Sequence, residues 1–209
     1  MPLMATLALG LYVLGLLLAF GWRTLAQWRA TGDTGLRLDA GAVGSVGWWA
    51  KLAFLAALPL GAAGPVAALA GLPPIATLDA DWLRTTGVVL AVAGIAATLV
   101  AQLSMGTSWR IGVNPAEHTA LITDGAFAVA RNPVFSAMSI TSLGLAAMVP
   151  NPISLTATVV LIASIQLQVR AVEEPYLIRT HGPAYTTYAA RVGRFLPGIG
   201  RSTKARPTL

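Results

Sequence analysis

The sequence predicts an all-α polytopic membrane protein with about five transmembrane helices, the last two a short hairpin, followed by a helical C-terminal segment. Three observations predict this. First, 56% of the 209 residues are hydrophobic and only 11% are charged, against roughly 25% charged in an ordinary soluble domain. Second, charge-free runs cover residues 3–22, 52–78, 85–109 and 132–169, and one helix needs roughly 20 residues to cross a bilayer core. Third, the 14 Lys and Arg, which with 8 Asp and Glu give a net charge of +6, lie between the apolar runs. That distribution is the flank pattern of membrane helices, whereas a nucleic-acid binder gathers its cations on one face.

Taken in order, the first run has no basic segment before it and is longer than the apolar core of a signal sequence, so residues 3–22 read as a retained helix. The next two runs place helices at 50–70 and 85–106. The fourth run can hold two helices, and "VPNP" at 149–152 supplies the break, because two prolines flanking an asparagine cannot continue a helix. The helices are then 133–149 and 152–170. Lys and Arg concentrate at 23–51, at 107–131 and after 170, which puts the N-terminus outside and the C-terminal part on the cytoplasmic side. Trp22, Trp48, Trp49, Trp82 and Trp109 fall near span ends, where amphipathic rings favour the interface. One domain results: residues 1–106 hold the first three helices, 107–200 hold the last two together with most of the polar residues, and 201–209 read as a disordered basic tail able to touch anionic membrane lipids. With no cysteine, disulfides, thiolate metal sites and a cysteine nucleophile are excluded.

Polar residues gather in two blocks, 108–135 and 170–200, on either side of the hairpin. In the first, an Asp-Gly turn precedes "ARNPVF". Pro133 biases Asn132 away from helical dihedrals, so Asn132 fits the N-cap and Pro133 the first helical position. The helix start then presents free N–H groups and a positive dipole end to a ligand. Capping alone also accounts for Asn-Pro, and Arg131 alone reads equally as a snorkelling arginine. In the second block Arg170, Glu173 and Glu174 share one helical face, so Arg170 can pair with either carboxylate, and two adjacent carboxylates can hold an ammonium or ribose hydroxyls. A further amphipathic helix is expected to begin near Pro183, with Tyr185 and Tyr188 on one side. It reads either as a surface helix or as a lid over a site.

Together, "LITDGAFAVARNPVF", the Asn-Pro at 151–152 and "RAVEEPYLIRTHGPAYTTYAARVGRFLPGI" resemble the isoprenylcysteine carboxyl methyltransferase family and its relatives, the phospholipid methyltransferases. The resemblance covers roughly residues 108–200, and the Arg-(His/Asn)-Pro-x-(Tyr/Phe) motif at 131–135 is among its most diagnostic pieces. It implies an integral membrane enzyme using S-adenosylmethionine, held by the C-terminal half without a Rossmann domain, and no metal. Cofactor contacts carry over to His118, Thr119, Ala120, Leu121, Ile122, Phe127, Asn132, Pro133, Val134 and Phe135, and to Glu174 or its neighbour Glu173. Arg170 resembles the arginine beside the acceptor carboxylate, which makes Arg170 and Glu173 the candidate catalytic pair. The chain departs from the eukaryotic motif at Asn132, where His is common, and at Phe135, where Tyr is.

The implied chemistry suits these residues. Methyl transfer from a sulfonium is an in-line displacement needing no protein nucleophile, and a carboxylate acceptor needs no base, so catalysis rests on alignment and exclusion of water. An amine or hydroxyl acceptor would need a base, with Glu173, His118 or His181 as candidates. The partners implied are a lipophilic small molecule or lipid-modified substrate arriving from the bilayer, and no nucleic acid. Two other classes compete: a sterol-reductase-like membrane enzyme using a reduced nicotinamide nucleotide, whose phosphates would need more cations than Arg110 and Arg131, and a non-enzymatic membrane protein of the same fold.

Overall fold

Where the chain carries no charge over more than about 20 residues, helix is the only backbone state that satisfies its own hydrogen bonds in lipid. The computed structural model describes residues 2–37, 41–112 and 120–202, and each expected span is helical. The tail expected at 201–209 falls outside the described residues from 203 onward. Helix α1 is Pro2–Thr31, α2 is Val46–Leu69, α3 is Asp81–Ser104 and α4 is Pro133–Met148. Helix α5, Pro152–Leu167, passes through a π-helical stretch, Gln168–Glu173, directly into α6, Glu174–Arg191. Helices α1, α2, α3 and the continuous α5–α6 are long and apolar enough to cross a membrane, while α4 is shorter at 16 residues. Among the described residues, extended pairing is limited to isolated bridges. The molecule is an all-α integral membrane protein.

Two helices run past their expected ends. Helix α1 continues beyond Trp22 because Arg23 and Gln27, 5% and 4% exposed, find partners in the turn after α3. Arg23 Nη2 donates to the Gly106 carbonyl at 2.6 Å, and Gln27 Nε2 donates to the Thr107 carbonyl at 2.7 Å. The Arg23 guanidinium also lies 4.8 Å from the Trp109 ring centroid, a cation–π contact. Within α1 a π-helical stretch, Leu17–Trp22, loosens the regular ladder, and the Ala19 carbonyl accepts from Gln102 Nε2 of α3 at 3.1 Å. The helix stops at Gly32, whose φ of 75° suits glycine at a helix C-terminus.

Helix α5 likewise does not end near residue 170. Pro175 falls in the first turn of α6, just after the π-helical stretch. A missing N–H is tolerated there because the i→i−4 pattern is already interrupted. The break expected near Pro183 is present as a kink: Gly182 takes φ 50° and ψ −124°, a conformation that only glycine adopts readily.

The α4–α5 turn follows the expected "VPNP" break. Asn151 is 1% exposed. Its Oδ1 accepts from the Ser154 N–H at 2.9 Å, capping α5, and its Nδ2 donates to the Gly64 carbonyl of α2 at 2.9 Å. Helices α3 and α4 meet backbone to backbone. A methyl group on Gly87 would lie 2.6 Å from the Gly144 carbonyl oxygen, and one on Gly94 would lie 2.7 Å from the Thr141 nitrogen. Small residues permit the close packing on which helix association in lipid depends.

Replacing Asn151 with Ala removes a cap and a buried bond to α2, so we expect a stability loss of about 2 kcal/mol. A fall in the thermal midpoint of the detergent-solubilised protein, with helical content below the transition unchanged, checks it.

Candidate active site

The start of α4 is shaped by a segment distant in sequence. Asn132 occupies the N-cap position and Pro133 the first turn, as expected, but the asparagine side chain makes no cap bond. Its Nδ2 donates instead to the Arg194 carbonyl at 3.0 Å. The reason is a short parallel pairing of the two main chains, Ala130 with Gly193, in which the Arg131 N–H donates to the Gly193 carbonyl at 2.8 Å and the Asn132 N–H to the Arg194 carbonyl at 3.1 Å. Ser136 Oγ donates to the Phe195 carbonyl at 2.6 Å. Gly193 lets the two segments approach: a methyl group there would stand 2.1 Å from the Leu196 carbonyl oxygen.

Arg131 does not snorkel. It is 7% exposed, its Nη1 lies 2.8 Å from Glu174 Oε1 and donates to Tyr185 Oη at 3.1 Å, and its Nη2 donates to the Gly200 carbonyl at 2.8 Å. Arg194 grips the same carboxylate from the other side, Nε to Oε1 and Nη2 to Oε2, each at 2.8 Å. That bidentate bond pushes the Arg194 guanidinium above its ordinary pKa, so it keeps its charge throughout the accessible pH range.

Beside this cluster lies a cavity of about 230 Å³. One wall is the α4 start: Arg131, Asn132, Pro133, Val134 and Phe135. A second is the face of the last helix that carries Glu173, Tyr176, Leu177, His181, Tyr185 and Tyr188, which recur every three or four residues, with Tyr176 and Leu177 side by side, as one helical face requires. Ala120, Leu121, Ile122 and Phe127, the α3 end with Gln102, Trp109 and Arg110 after it, and Phe20 and Phe54 of α1 and α2 complete the lining. Tyr188 Oη is fixed by donating to the Phe127 carbonyl at 2.6 Å.

Of the residues expected at a site, the fold brings Ala120, Leu121, Ile122, Phe127, Asn132, Pro133, Val134, Phe135 and Glu173 to this one cavity. His118 and Thr119 lie outside the described residues. Glu174 is not among the lining residues, because its carboxylate is taken by Arg131 and Arg194. Arg170 does not line the cavity either: it is exposed, and its Nε donates to Gln166 Oε1 at 2.8 Å. It pairs with neither carboxylate, since Glu173 accepts from Gln168 Nε2 at 3.4 Å. The π-helical stretch between Arg170 and Glu174 is why the regular helical spacing fails as a guide to that face. Gln102, Trp109 and Tyr176 were not expected in the wall. Only the Gln102 position, an amide inside an apolar run, carried a signal.

The arrangement is that of a binding site for a mixed ligand. Among the described residues one carboxylate, Glu173, lines the cavity together with aromatic rings that accommodate a cation or a base. In the first turn of α4 the Val134 and Phe135 N–H groups have no acceptor within their own helix, since Pro133 has no N–H and Ser136 bonds the Asn132 carbonyl, and these two can receive a carboxylate.

Comparison with known proteins places residues 82–184 in a match to the phospholipid methyltransferase family. Two proteins of Arabidopsis thaliana, protein-S-isoprenylcysteine O-methyltransferase B and A, are 30% and 29% identical over 120 residues. The aligned stretch is 56% of this chain and 61% of each relative, so the chain spans about three fifths of the length of these curated relatives.

Gly193→Ala should force the 193–200 segment away from the α4 start and lower stability by about 1–3 kcal/mol. Amide hydrogen exchange of Arg131, Asn132 and Arg194 reports it, with faster exchange expected there and none in α3.

Proposed function

We propose that this chain, whose residues 82–184 match the phospholipid methyltransferase family, is an integral membrane methyltransferase that moves the methyl group of S-adenosylmethionine to a lipophilic acceptor, a carboxylate oxygen being the acceptor atom. The observation that carries this reading is that one cavity joins Glu173 and the α4 start to Phe20 and Met138, which also line a second chamber of about 90 Å³ between α1, α2, α3, α4 and α5. A polar end suited to the donor thus abuts an apolar end inside the bundle.

The residues present suit the donor. Glu173 is placed to hold its ammonium or hydroxyls, the first-turn N–H groups of α4 its carboxylate, and Phe127, Phe135, Tyr185 and Tyr188 its flat base. When bound, S-adenosylmethionine supplies an electrophilic methyl on a sulfonium. The protein then contributes alignment and a water-poor enclosure, with Phe20 and Met138 directing the acceptor's apolar part away from the aqueous mouth. Arg110, a cation of the cavity wall, orients the acceptor carboxylate in place of Arg170. If the acceptor is instead an amine or hydroxyl, His181 and Glu173, which also line the cavity, are the proton acceptors within reach. The Arabidopsis relatives are named for O-methylation of protein S-isoprenylcysteine, a lipid-modified group and one member of the proposed acceptor class. A cytoplasmic position of the cavity belongs to the same proposal, and the distribution of Lys and Arg supports it.

Calorimetry on purified protein tests the donor assignment. S-adenosylhomocysteine should bind, and Glu173→Gln should weaken it about tenfold or more, as for a lost charge-assisted hydrogen bond. Binding of a reduced nicotinamide nucleotide alone would replace this reading with the reductase, and binding of neither would leave a non-enzymatic protein. Incubating membranes with donor labelled in the methyl group, then treating the labelled product with mild base, tests the acceptor: a methyl ester releases its label as methanol, whereas an N-methyl or ether product does not.

A further inference from the structure

We infer that Glu174 is a positioning residue: it touches neither donor nor acceptor, and it sets the distance between the two principal walls of the cavity through Arg131 and Arg194. The inference rests on the proposed reading of the cavity as the donor site. Glu173 and Glu174 are consecutive residues at the junction of the π-helical stretch with α6, so their side chains leave the helix in different directions. Glu173 faces the cavity and Glu174 does not line it. Both oxygens of Glu174 are engaged: Oε1 meets Arg131 Nη1 and Arg194 Nε, and Oε2 meets Arg194 Nη2, all at 2.8 Å.

Each arginine belongs to a different segment. Arg131 opens the turn whose next four residues line the cavity, and Arg194 belongs to the stretch whose carbonyls hold the Arg131 and Asn132 N–H groups. Arg131 also holds the Tyr185 hydroxyl and the Gly200 carbonyl. One carboxylate therefore ties the α6 face, the α4 start and the C-terminal stretch together. Glu174 has a side chain only 12% exposed and Arg131 one only 3% exposed, so neither charge can turn to water instead. Loss of the negative charge leaves a buried guanidinium without a counter-ion, and the walls must shift to admit solvent to it.

The test is a double-mutant cycle read by S-adenosylhomocysteine affinity, with Glu174→Gln, Arg194→Met, the double variant and Arg194→Lys. A residue acting through its arginines gives single losses of about tenfold each, no greater loss in the double variant, and partial recovery in Arg194→Lys. A Glu174→Gln loss with Arg194→Met at wild-type affinity, or losses that multiply in the double variant, would overturn the inference and make Glu174 a direct ligand. Hydrogen exchange on ligand-free protein decides independently of the donor. Glu174→Gln should accelerate exchange at both 130–132 and 193–199 while α3 keeps its protection, and unchanged exchange at either segment overturns the coupling. Wild-type protein that fails to bind S-adenosylhomocysteine sinks the donor reading, and the exchange result then decides by itself whether Glu174 couples the two segments.

Discussion

A guanidinium buried at the end of a bundle of apolar helices has to meet a counter-charge, and nearly everything at the open end of this molecule follows from how Arg131 meets Glu174. Desolvating one charge alone costs several kcal/mol, and pairing with good geometry offsets much of it. Glu174 can reach Arg131 only if α5 continues past its last apolar turn, so that α6 begins beside the start of α4. Arg194 then completes the carboxylate's coordination. Its carbonyl and that of Gly193 engage the Arg131 and Asn132 N–H groups, which satisfies the main-chain donors just before α4 and leaves those of its first turn open.

The same logic operates at smaller scale on the other side of the cavity. Arg23, Gln27 and Gln102 are polar groups placed where lipid or packed helix would leave them without partners, and each is answered by a main-chain carbonyl: Gly106, Thr107 and Ala19. These bonds fix the turn after α3 against α1 and hold Trp109 under the Arg23 guanidinium. The cavity walls are therefore held by buried polar groups, while α3 and α4 are held together chiefly by close backbone packing.

The spans were legible because lipid imposes a length and forbids charge, and the hairpin because Pro150, Asn151 and Pro152 admit no helix through them. The residues along the α4 start were legible too, as Asn-Pro marks a helix beginning whatever surrounds it. What could not be read is pairing across sequence distance. Nothing near Glu174 announces that its partners are Arg131 and Arg194, and the local rule of spacing pointed to Arg170. Nor does hydropathy reveal a π-helical stretch. At Gln168–Glu173 the register changes within residues whose composition is ordinary, which moved Arg170 out of the site and carried the helix on to Arg191. The continuation of α1 past Trp22 was hidden for a related reason: Arg23 looks like a span end until its carbonyl partner, some 80 residues away, is in view.

The glycine contacts between α3 and α4 have a further consequence. Gly87, Gly94 and Gly144 bring main chain against main chain, so the separation of these two helices is fixed by atoms that every residue shares and that no side-chain rotation can change. Gln102 and Met105 at the end of α3, and Asn132 to Phe135 at the start of α4, therefore stand on a rigid frame. Any change in the breadth of the cavity, whether during a reaction cycle or over the divergence of such proteins, falls to the walls that side chains hold: α1 with Phe20, α2 with Phe54, and the α6 face that hangs on Glu174.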